Sequence, residues 1–406
     1  MNKLTIYAVM ATILLLMPSY TGTDMVRAWM DRWIEYQSAG GVEGIVGDEG
    51  KEEEKVAYVE DVPILDDKQW SELEAVVLSD ERVNASMKDK QYRLYSHSFV
   101  RYLEYSDLPN NSVEPNRWYA NIVYIYHEGN DKYLLSALVD VEEKKVVDVL
   151  INKYEDIRRD NGDFTTATGY RPGFAIAYYD GSASDIRAFR VRVKAPNSFS
   201  ALTQSGPLFF GLNATAKNSV ISESELCNPS NTTGSYWAQV GLAWSGNLAT
   251  VTWTDTRANC NPQYYQRITY GNSNTYHFII ATVRSDSSYT WNICAINATA
   301  GQQECINRSN ISQGTFQRSS HSSVWLENQL TTTDWYQSFG SNIKAGYAKY
   351  KKVGDSTWYN WDSASKVDKK CNEGAYVRSI VISGSIANGQ EATWNLQKMA
   401  ENYPAC

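Results

Sequence analysis

Histidines and closely spaced cysteines are scarce in this 406-residue sequence, which contains four histidines and six cysteines. No two histidines lie three or four residues apart, and no cysteine pair has the C-x-x-C spacing of a zinc site. The sequence also lacks a phosphate-binding G-x-x-x-x-G-K-[ST] loop and a G-x-G-x-x-G turn between a strand and a helix. We therefore expect no metal, no nucleotide and no other cofactor.

Two further absences narrow the function. No G-x-S-x-G motif marks the nucleophile of an α/β-hydrolase. No basic stripe interleaved with aromatic residues is available to neutralise phosphates, which argues against a nucleic-acid partner. Residues 23–160 contain 30 acidic and 17 basic side chains, whereas residues 161–406 contain 16 and 20. The two parts should attract each other, so we expect an intramolecular contact between an acidic N-terminal domain and a near-neutral C-terminal one.

The N-terminus has the layout of an export signal. Lys3 precedes an uncharged run from Leu4 to Met17, and small or turn-forming residues follow up to position 22. The run is short for a membrane span, although retention as an anchor is the alternative. Residues 23–62 then predict an amphipathic helix and a glycine-rich acidic linker. We expect a secreted protein or one on the extracellular cell surface.

Cysteines and glycosylation sequons agree with export. The six cysteines all lie in the last 180 residues, and their even number predicts three disulfides. Of the 15 possible pairings the simplest joins sequence neighbours: Cys227 with Cys260, Cys294 with Cys305, and Cys371 with Cys406. Seven N-x-[ST] sequons predict glycosylation, at Asn84, Asn110, Asn213, Asn231, Asn297, Asn307 and Asn310.

Residues 63–160 predict a small α+β domain. Trp70, Leu73, Val76 and Val77 recur at helical spacing. Alternating runs after them predict four strands, over Tyr92–Leu103, Trp118–His127, Lys132–Asp140 and Lys144–Leu150. The run resembles the helix-plus-meander modules of the PepSY and propeptide type that precede some secreted peptidases. A structural α+β domain of another kind is the alternative.

Residues 165–406 differ in composition and predict a mainly β domain. Charged residues become rare, while serine, threonine, asparagine, glycine, tyrosine and tryptophan dominate. At least ten short alternating runs are separated by turn residues, which is typical of an antiparallel sandwich of two sheets.

Two of these runs each carry one polar residue of interest. In Ser235–Trp244, Gln239 alternates with Trp237, and in Ser322–Leu330, Glu327 follows Trp325 by two residues. Burying an amide or a carboxylate beside an indole costs several kcal/mol unless the group has a partner. The pair therefore indicates either mutual pairing or a wet cleft, and the alternative is a half-exposed sheet whose outer face carries Gln and Glu.

The segments AQVG at Ala238–Gly241 and VWLEN at Val324–Asn328 resemble motifs of the eqolisin-type glutamic peptidases, secreted β-sandwich proteins of the concanavalin-like or jelly-roll layout. TWNICAINATAGQQ at Thr290–Gln303 and DWYQSFGSNIKAGYAKY at Asp334–Tyr350 resemble two further elements of that family. The resemblance implies that Gln239 and Glu327 are catalytic. It implies a substrate cleft lined by Trp237, Trp253 and Trp325, although VTWTD at Val251–Asp255 departs from the family's tryptophan-rich strand.

The function that follows is acid-acting hydrolysis of polypeptides, in which the Gln/Glu pair activates a water molecule. The acidic N-terminal part could then be a pro-segment that covers the cleft, or a permanent second domain. The competing hypothesis is a non-catalytic extracellular or cell-surface β-sandwich that binds glycans through its tryptophan and tyrosine rings.

Overall fold

The fold is described from a computed structural model of the chain. It describes residues 61–104, 108–154, 173–199, 208–216, 236–245, 248–258, 262–284, 289–311, 316, 322–328, 339–369 and 380–396. The predicted signal, helix and linker before residue 61 lie outside these ranges. Residues 57–406 form one compact unit. In the described ranges no helix has the length and apolarity needed to cross a membrane.

Two helices open the described chain, as predicted for one of them. Helix α1 spans Asp67–Ser79, and Asp66 and Gln69 close its first turn with a reciprocal capping box. Helix α2 spans Glu81–Met87, and the Asp80 carboxylate accepts hydrogen bonds from its first backbone N–H groups. The short polar side chains that favour caps therefore stand where each helix begins.

Nineteen strands follow in the described residues. They are β1 Tyr92–Tyr102, β2 Tyr119–Glu128, β3 Asp131–Asp140, β4 Lys145–Lys153, β5 Gly173–Tyr179, β6 Ile186–Lys194, β7 Leu208–Ala216, β8 Tyr236–Ser245, β9 Leu248–Asp255, β10 Gln263–Tyr264, β11 Thr275–Arg284, β12 Tyr289–Asn297, β13 Gln302–Ile311, β14 Ser323–Asn328, β15 Ile343–Lys352, β16 Tyr359–Asn360, β17 Ala364–Lys369, β18 Ile380–Ser383 and β19 Glu391–Leu396. A short 3-10 helix at Thr256–Ala258 follows β9.

The strands form two large sheets, which confirms the predicted mainly β fold. The order in the twelve-stranded sheet is β18-β19-β15-β6-β11-β12-β13-β1-β2-β3-β4, with β16 attached to β15. The order in the seven-stranded sheet is β10-β9-β8-β7-β14-β5-β17. The pairs are antiparallel, and the two sheets enclose one large core that includes Phe189, Phe210, Trp244, Trp291 and Trp394.

The N-terminal meander extends one sheet of the sandwich. Strands β1 to β4 pair in sequence, and β1 also pairs with β13 from Phe99 opposite Cys305 to Tyr102 opposite Gln302. Helices α1 and α2 pack on the face of this sheet that is opposite the sandwich core, through Leu73, Val77 and Val83. The segments predicted as two domains are thus joined by backbone hydrogen bonds between β1 and β13.

Candidate functional site

The predicted alternation of β8 holds in the structure. Val240 and Leu242 lie in the core between the sheets, whereas Trp237 and Gln239 lie on the opposite face of the seven-stranded sheet, here called the outer face. Gln239 is only 4% exposed and Trp237 only 6%. An amide is therefore buried on a face that does not belong to the sandwich core.

Gln239 belongs to a row of polar residues that crosses the outer face. Its register partner on β9 is Thr254, and its partner on β7 is Asn213, which in turn pairs with Ser323 of β14. The backbone N–H and the hydroxyl of Ser323 donate to Asn213 Oδ1 over 3.1 and 3.0 Å. Because the partners are adjacent in the sheet, we call these four residues the polar row.

Several polar atoms of this face lack hydrogen-bond partners. Among the described residues, none bonds to Gln239 Oε1, Thr254 Oγ1 or Trp325 Nε1, and each of these atoms is buried. A buried polar atom without a partner costs about 1–3 kcal/mol. These atoms are therefore suited to contact a water molecule or a ligand that enters the polar row.

Two of the three predicted cleft tryptophans belong to the outer face. Trp237 flanks the polar row on β8 and Trp325 on β14, two residues from Gln239 and Ser323 respectively. Trp253 pairs with Val240 and belongs to the sandwich core cluster, so it lies on the other face of the sheet. It lines a separate cavity described below.

Trp325 stands in register with two glycines. Gly211 of β7 and Gly241 of β8 pair directly, and a Cβ on either one would collide with backbone atoms of the neighbouring strand. The G of the AQVG motif is therefore required by the close approach of two strands.

The backbone register separates Gln239 from Glu327. Gln239 is in register with Ser323, whereas Glu327 is in register with Phe209 and Ala243, four residues further along β14. With strands about 4.8 Å apart and a rise of about 3.4 Å per residue, the two Cα atoms are roughly 16 Å apart. The Glu327 side chain lies outside the described part of the chain.

Tyrosines of the N-terminal meander cover part of the outer face. Tyr95 of β1 and Tyr154, which follows β4, pack against a cluster that contains Phe209, Tyr264 and Trp325. The Tyr154 and Tyr264 rings meet edge to face at 5.4 Å, and the Tyr264 backbone N–H donates to the Tyr95 hydroxyl at 3.3 Å. The meander therefore lies over the part of the outer face that holds Phe209 and Trp325.

Sequence reasoning missed a buried carboxylate, Glu304 of β13. Glu304 Oε1 accepts hydrogen bonds from the Ser98 hydroxyl at 2.7 Å and from Asn121 Nδ2 at 3.1 Å, and Oε2 accepts from the Arg267 backbone N–H at 2.8 Å. Burial nevertheless raises the pKa of the Glu304 carboxyl. An isolated acid inside an alternating strand of a segment poor in charge was the available signal.

A second missed carboxylate, Asp255, joins the two sheets. It is fully buried, accepts a 2.5 Å hydrogen bond from the Tyr236 hydroxyl, and pairs with Arg308 Nε at 2.5 Å. The Arg308 guanidinium also lies 4.8 Å from the centroid of the Trp253 ring. Since Asp255 and Tyr236 are on the seven-stranded sheet and Arg308 is on the other, this ion pair holds the sheets together at one edge.

The cysteine and asparagine predictions meet different outcomes. The Cys294–Cys305 disulfide is present and joins β12 to β13, so this predicted pair is confirmed. The other four cysteines, and Asn231, lie outside the described residues. Asn297 is fully buried and its Nδ2 donates to the Thr269 carbonyl, so a glycan at Asn297 would have to displace packed structure.

The remaining sequons stand in varied settings. Asn84 is exposed on α2, whereas Asn213 belongs to the polar row. Asn110 Nδ2 donates to Asp148, and Asn307 Nδ2 donates to the Pro63 carbonyl at 2.6 Å. Asn310 is exposed on β13 with a φ of 60°. Across the described ranges, no three His, Cys, Asp or Glu side chains cluster in a way that could hold a metal ion.

Comparison with known proteins gives a weak structural likeness. No protein-family model matches the chain, and no curated protein matches it. The chain is similar to the crystal structure of scytalido-glutamic peptidase with a transition state analog inhibitor, at 15% sequence identity and a TM-score of 0.32. The match covers 57% of this chain and 100% of the peptidase chain.

Proposed function

We propose that this protein hydrolyses peptide bonds in the manner of a glutamic peptidase and that the outer face of its seven-stranded sheet is the substrate cleft. The observation that carries the proposal is the placement of Gln239. Its amide is buried in the polar row, lies on the same outer face as Trp237 and Trp325, and has an oxygen without a partner in the described chain. Such an oxygen can accept a hydrogen bond from a reacting water molecule.

In the proposed reaction, Glu327 takes a proton from a water molecule that lies between Glu327 and Gln239, and the water oxygen attacks the carbonyl carbon of the peptide bond. Gln239 Nε2–H donates to the oxyanion that forms. The tetrahedral intermediate then collapses, the C–N bond breaks, and Glu327 gives the proton to the leaving nitrogen, which yields an amine and a carboxylic acid. Glu327 must be ionised for the first step, and the usual pKa of a Glu is about 4.3, so activity at acidic pH follows.

The strand register limits how Gln239 and Glu327 can act together. A four-residue offset along β14 is too long for a direct hydrogen bond between Gln239 and Glu327. The water and the substrate carbonyl therefore have to lie between them, along the strand that contains Trp325. Asn213 and Ser323 then stand beside Gln239, where they can orient its amide or contact the substrate backbone.

We also propose that the N-terminal part acts as a pro-segment of an exported protein. The packing of Tyr95 and Tyr154 on the outer face supports this role, because substrate could not reach Trp325 while the two rings stay there. The disulfide between Cys294 and Cys305 supports export, since disulfides persist in oxidising compartments. Mass spectrometry of secreted protein after incubation in acid tests processing, and a persisting full-length chain would contradict it.

The test of catalysis is casein hydrolysis at pH 3–5 by protein without residues 1–22, in the presence of pepstatin. We expect activity in the unmodified protein and its loss in both Gln239→Ala and Glu327→Gln. The matched control is Glu391→Gln, which removes a carboxylate from β19 of the other sheet. Retained activity in either of the first two variants would end the proposed mechanism.

Glycan binding is the second candidate. The observation that favours it is that amide and hydroxyl groups of the polar row share a face with the indoles of Trp237 and Trp325, since sugars are bound through stacking on rings and through hydrogen bonds to such groups. A glycan array probed with the full-length chain and with acid-processed protein separates the two functions. Binding without hydrolysis of casein would favour the lectin.

A further inference from the structure

The ladder between β1 and β13 ends abruptly. The two strands pair from Tyr102 opposite Gln302 as far as Phe99 opposite Cys305, and the residues that would continue the ladder line a cavity instead. These residues include Ser96 and His97 on β1 and Ile306, Asn307 and Arg308 on β13. We call this opening the fork.

Both strands have a bulge near the fork. The pairing of β1 with β2 shifts register between Leu94 and Ser96, and the pairing of β13 with β12 shifts between Arg308 and Ile311, which are opposite Trp291 and Tyr289. Bulges of this kind bend a strand and increase its twist, as expected where two strands diverge. Strand β1 still pairs with β2, and β13 still pairs with β12, so the sheet continues on both sides of the opening.

The fork leaves two facing strand edges. Among the described strands, none pairs with β13 beyond Cys305 on the side toward β1, or with β1 before Phe99 on the side toward β13. The far end of β13 is protected, because Arg257 donates to the carbonyls of Ser309 and Asn310 at 2.7 Å each. The open stretch therefore covers about three residues per strand, or about 10 Å.

The cavity in the fork has a volume of about 420 Å³, within the range of ligand clefts. Its walls include the Trp253 indole, whose buried Nε1 has no partner in the described chain, and Asn307, whose Oδ1 is likewise buried and without one. One is a donor and the other an acceptor. Trp253 belongs to the core cluster between the sheets, whereas Asn307 faces Pro63 on the helix side, so the two atoms stand at opposite ends of the cavity. Trp253 itself is 3% exposed.

We propose that the fork binds about three residues of an extended polypeptide, which pairs with β1 and β13 as an added strand. Main-chain hydrogen bonds to the edges supply affinity, and Trp253 Nε1 on one face of the sheet and Asn307 Oδ1 on the other are each available to a separate polar group of the bound chain. The fork contains neither Gln239 nor Glu327, so the site is independent of the proposed hydrolysis. It serves as a second contact for a polypeptide partner.

The test uses a fluorescein-labelled pentapeptide, Ser-Val-Thr-Val-Ser, and a copy that carries N-methyl groups on alternate residues. Fluorescence polarisation with the full chain should show binding of the first peptide, and at least tenfold weaker binding of the second because its N–H donors to one edge are removed. Hydrogen exchange at saturating peptide should slow at residues 96–98 and 306–308. Equal binding of both peptides, or unchanged exchange at these residues, would overturn the proposal.

Variants locate the contact. Trp253→Phe removes the indole N–H and keeps a ring, so binding should weaken about tenfold. Trp361→Phe is the matched control, because Trp361 is fully buried in the sandwich core and its Nε1 also lacks a partner in the described chain. Equal losses in the two variants would refute the role of Trp253. The assay measures binding, which hydrogen exchange locates at residues 96–98 and 306–308, so its failure is distinguishable from a failure of the proposed hydrolysis at the outer face.

Discussion

The Ser98 hydroxyl donates a hydrogen bond to Glu304 over 2.7 Å, and this contact joins the N-terminal meander to the sandwich inside a buried interface. Asn121 extends the network, since its Nδ2 donates to Ser98 Oγ and its Oδ1 accepts from Ser136. Arg267 completes it through Ser136 and Asp148. The junction is therefore polar as well as hydrophobic, and its strength should depend on pH.

Ionisation of the buried Glu304 carboxyl should weaken the fold as pH rises. Burial raises the pKa of Glu304 in the folded chain, so the folded state holds its proton to a higher pH than the unfolded state does. This contribution is fully present below the unfolded pKa and is lost as pH rises through the folded pKa. In urea unfolding, Glu304→Gln should therefore gain stability relative to the unmodified protein between pH 4 and 7. A constant difference between the two proteins would contradict this reasoning.

Protonation of the buried His97 ring should weaken the fold as pH falls, which is the opposite pH dependence. Burial, aided by the positive charge of Arg308, lowers the pKa of His97 to about 4, while its ring stacks on Trp70 at 4.3 Å and its Nε2 lies 2.9 Å from Glu74. Because the unfolded chain takes up the proton first, stability should be lost as pH falls from about 6.5 to 4, by on the order of 3 kcal/mol.

Replacing His97 should flatten this acid dependence. His97→Phe keeps a ring against Trp70 but cannot be protonated, so its unfolding free energy should vary less between pH 6.5 and 4. The control is His127→Phe at an exposed position of β2. An unchanged slope in His97→Phe would show that other groups govern the acid response. Glu304 weakens the fold as pH rises, whereas His97 weakens it as pH falls. Comparing Glu304→Gln with His97→Phe therefore shows whether His97 can drive release of the meander in acid.

Removing a tyrosine of the meander should expose the outer face. Tyr154→Ala deletes a ring that contacts Tyr264 and packs on the cluster containing Trp325. Loss of this aromatic contact, about 1–1.5 kcal/mol, should speed amide exchange in β14 and β7 roughly tenfold through local opening. Tyr133→Ala, which removes a ring stacked on Tyr126 in the helix-facing cluster, is the control and should leave β14 unchanged. Equal protection of β14 in both variants would argue against the cover.

A methyl group at Gly241, two residues from Gln239, should disrupt the pairing of β8 with β7 that holds the polar row. A Cβ at this position collides with the Phe210 carbonyl and with Gly211, both backbone atoms that cannot move independently of β7. We expect Gly241→Ala to lower the unfolding free energy by about 1–3 kcal/mol, as overpacking does. Gly129→Ala, at a turn with open space around it but a φ of 61°, tests backbone strain alone. Thermal unfolding of the two variants compares the cost of the steric collision at Gly241 with the cost of backbone strain at Gly129.

The periodicity of the sequence was sufficient for most elements. Strands such as Tyr119–Glu128 and Tyr236–Ser245 were predicted within a few residues because one face must be apolar. The helix around Leu73 and Val77 was found for the same reason. The second helix and the two-residue strands were not predicted, because they are too short to show a period. The junction of β1 with β13 was not predicted either, because it depends on residues some 200 positions apart.

The sequence by itself determined which residues of each strand share a face, because side chains alternate along an extended backbone. That was enough to assign a β-sandwich and to recognise Gln239 as an amide on a strand with an apolar core face. Only the tertiary structure decided which strands are neighbours, and therefore that Gln239 stands beside Asn213 and Ser323 while Glu327 lies four residues further along. Register and strand order arise from contacts between distant segments, and so do the covering tyrosines, the fork and the buried Glu304. No local pattern encodes them.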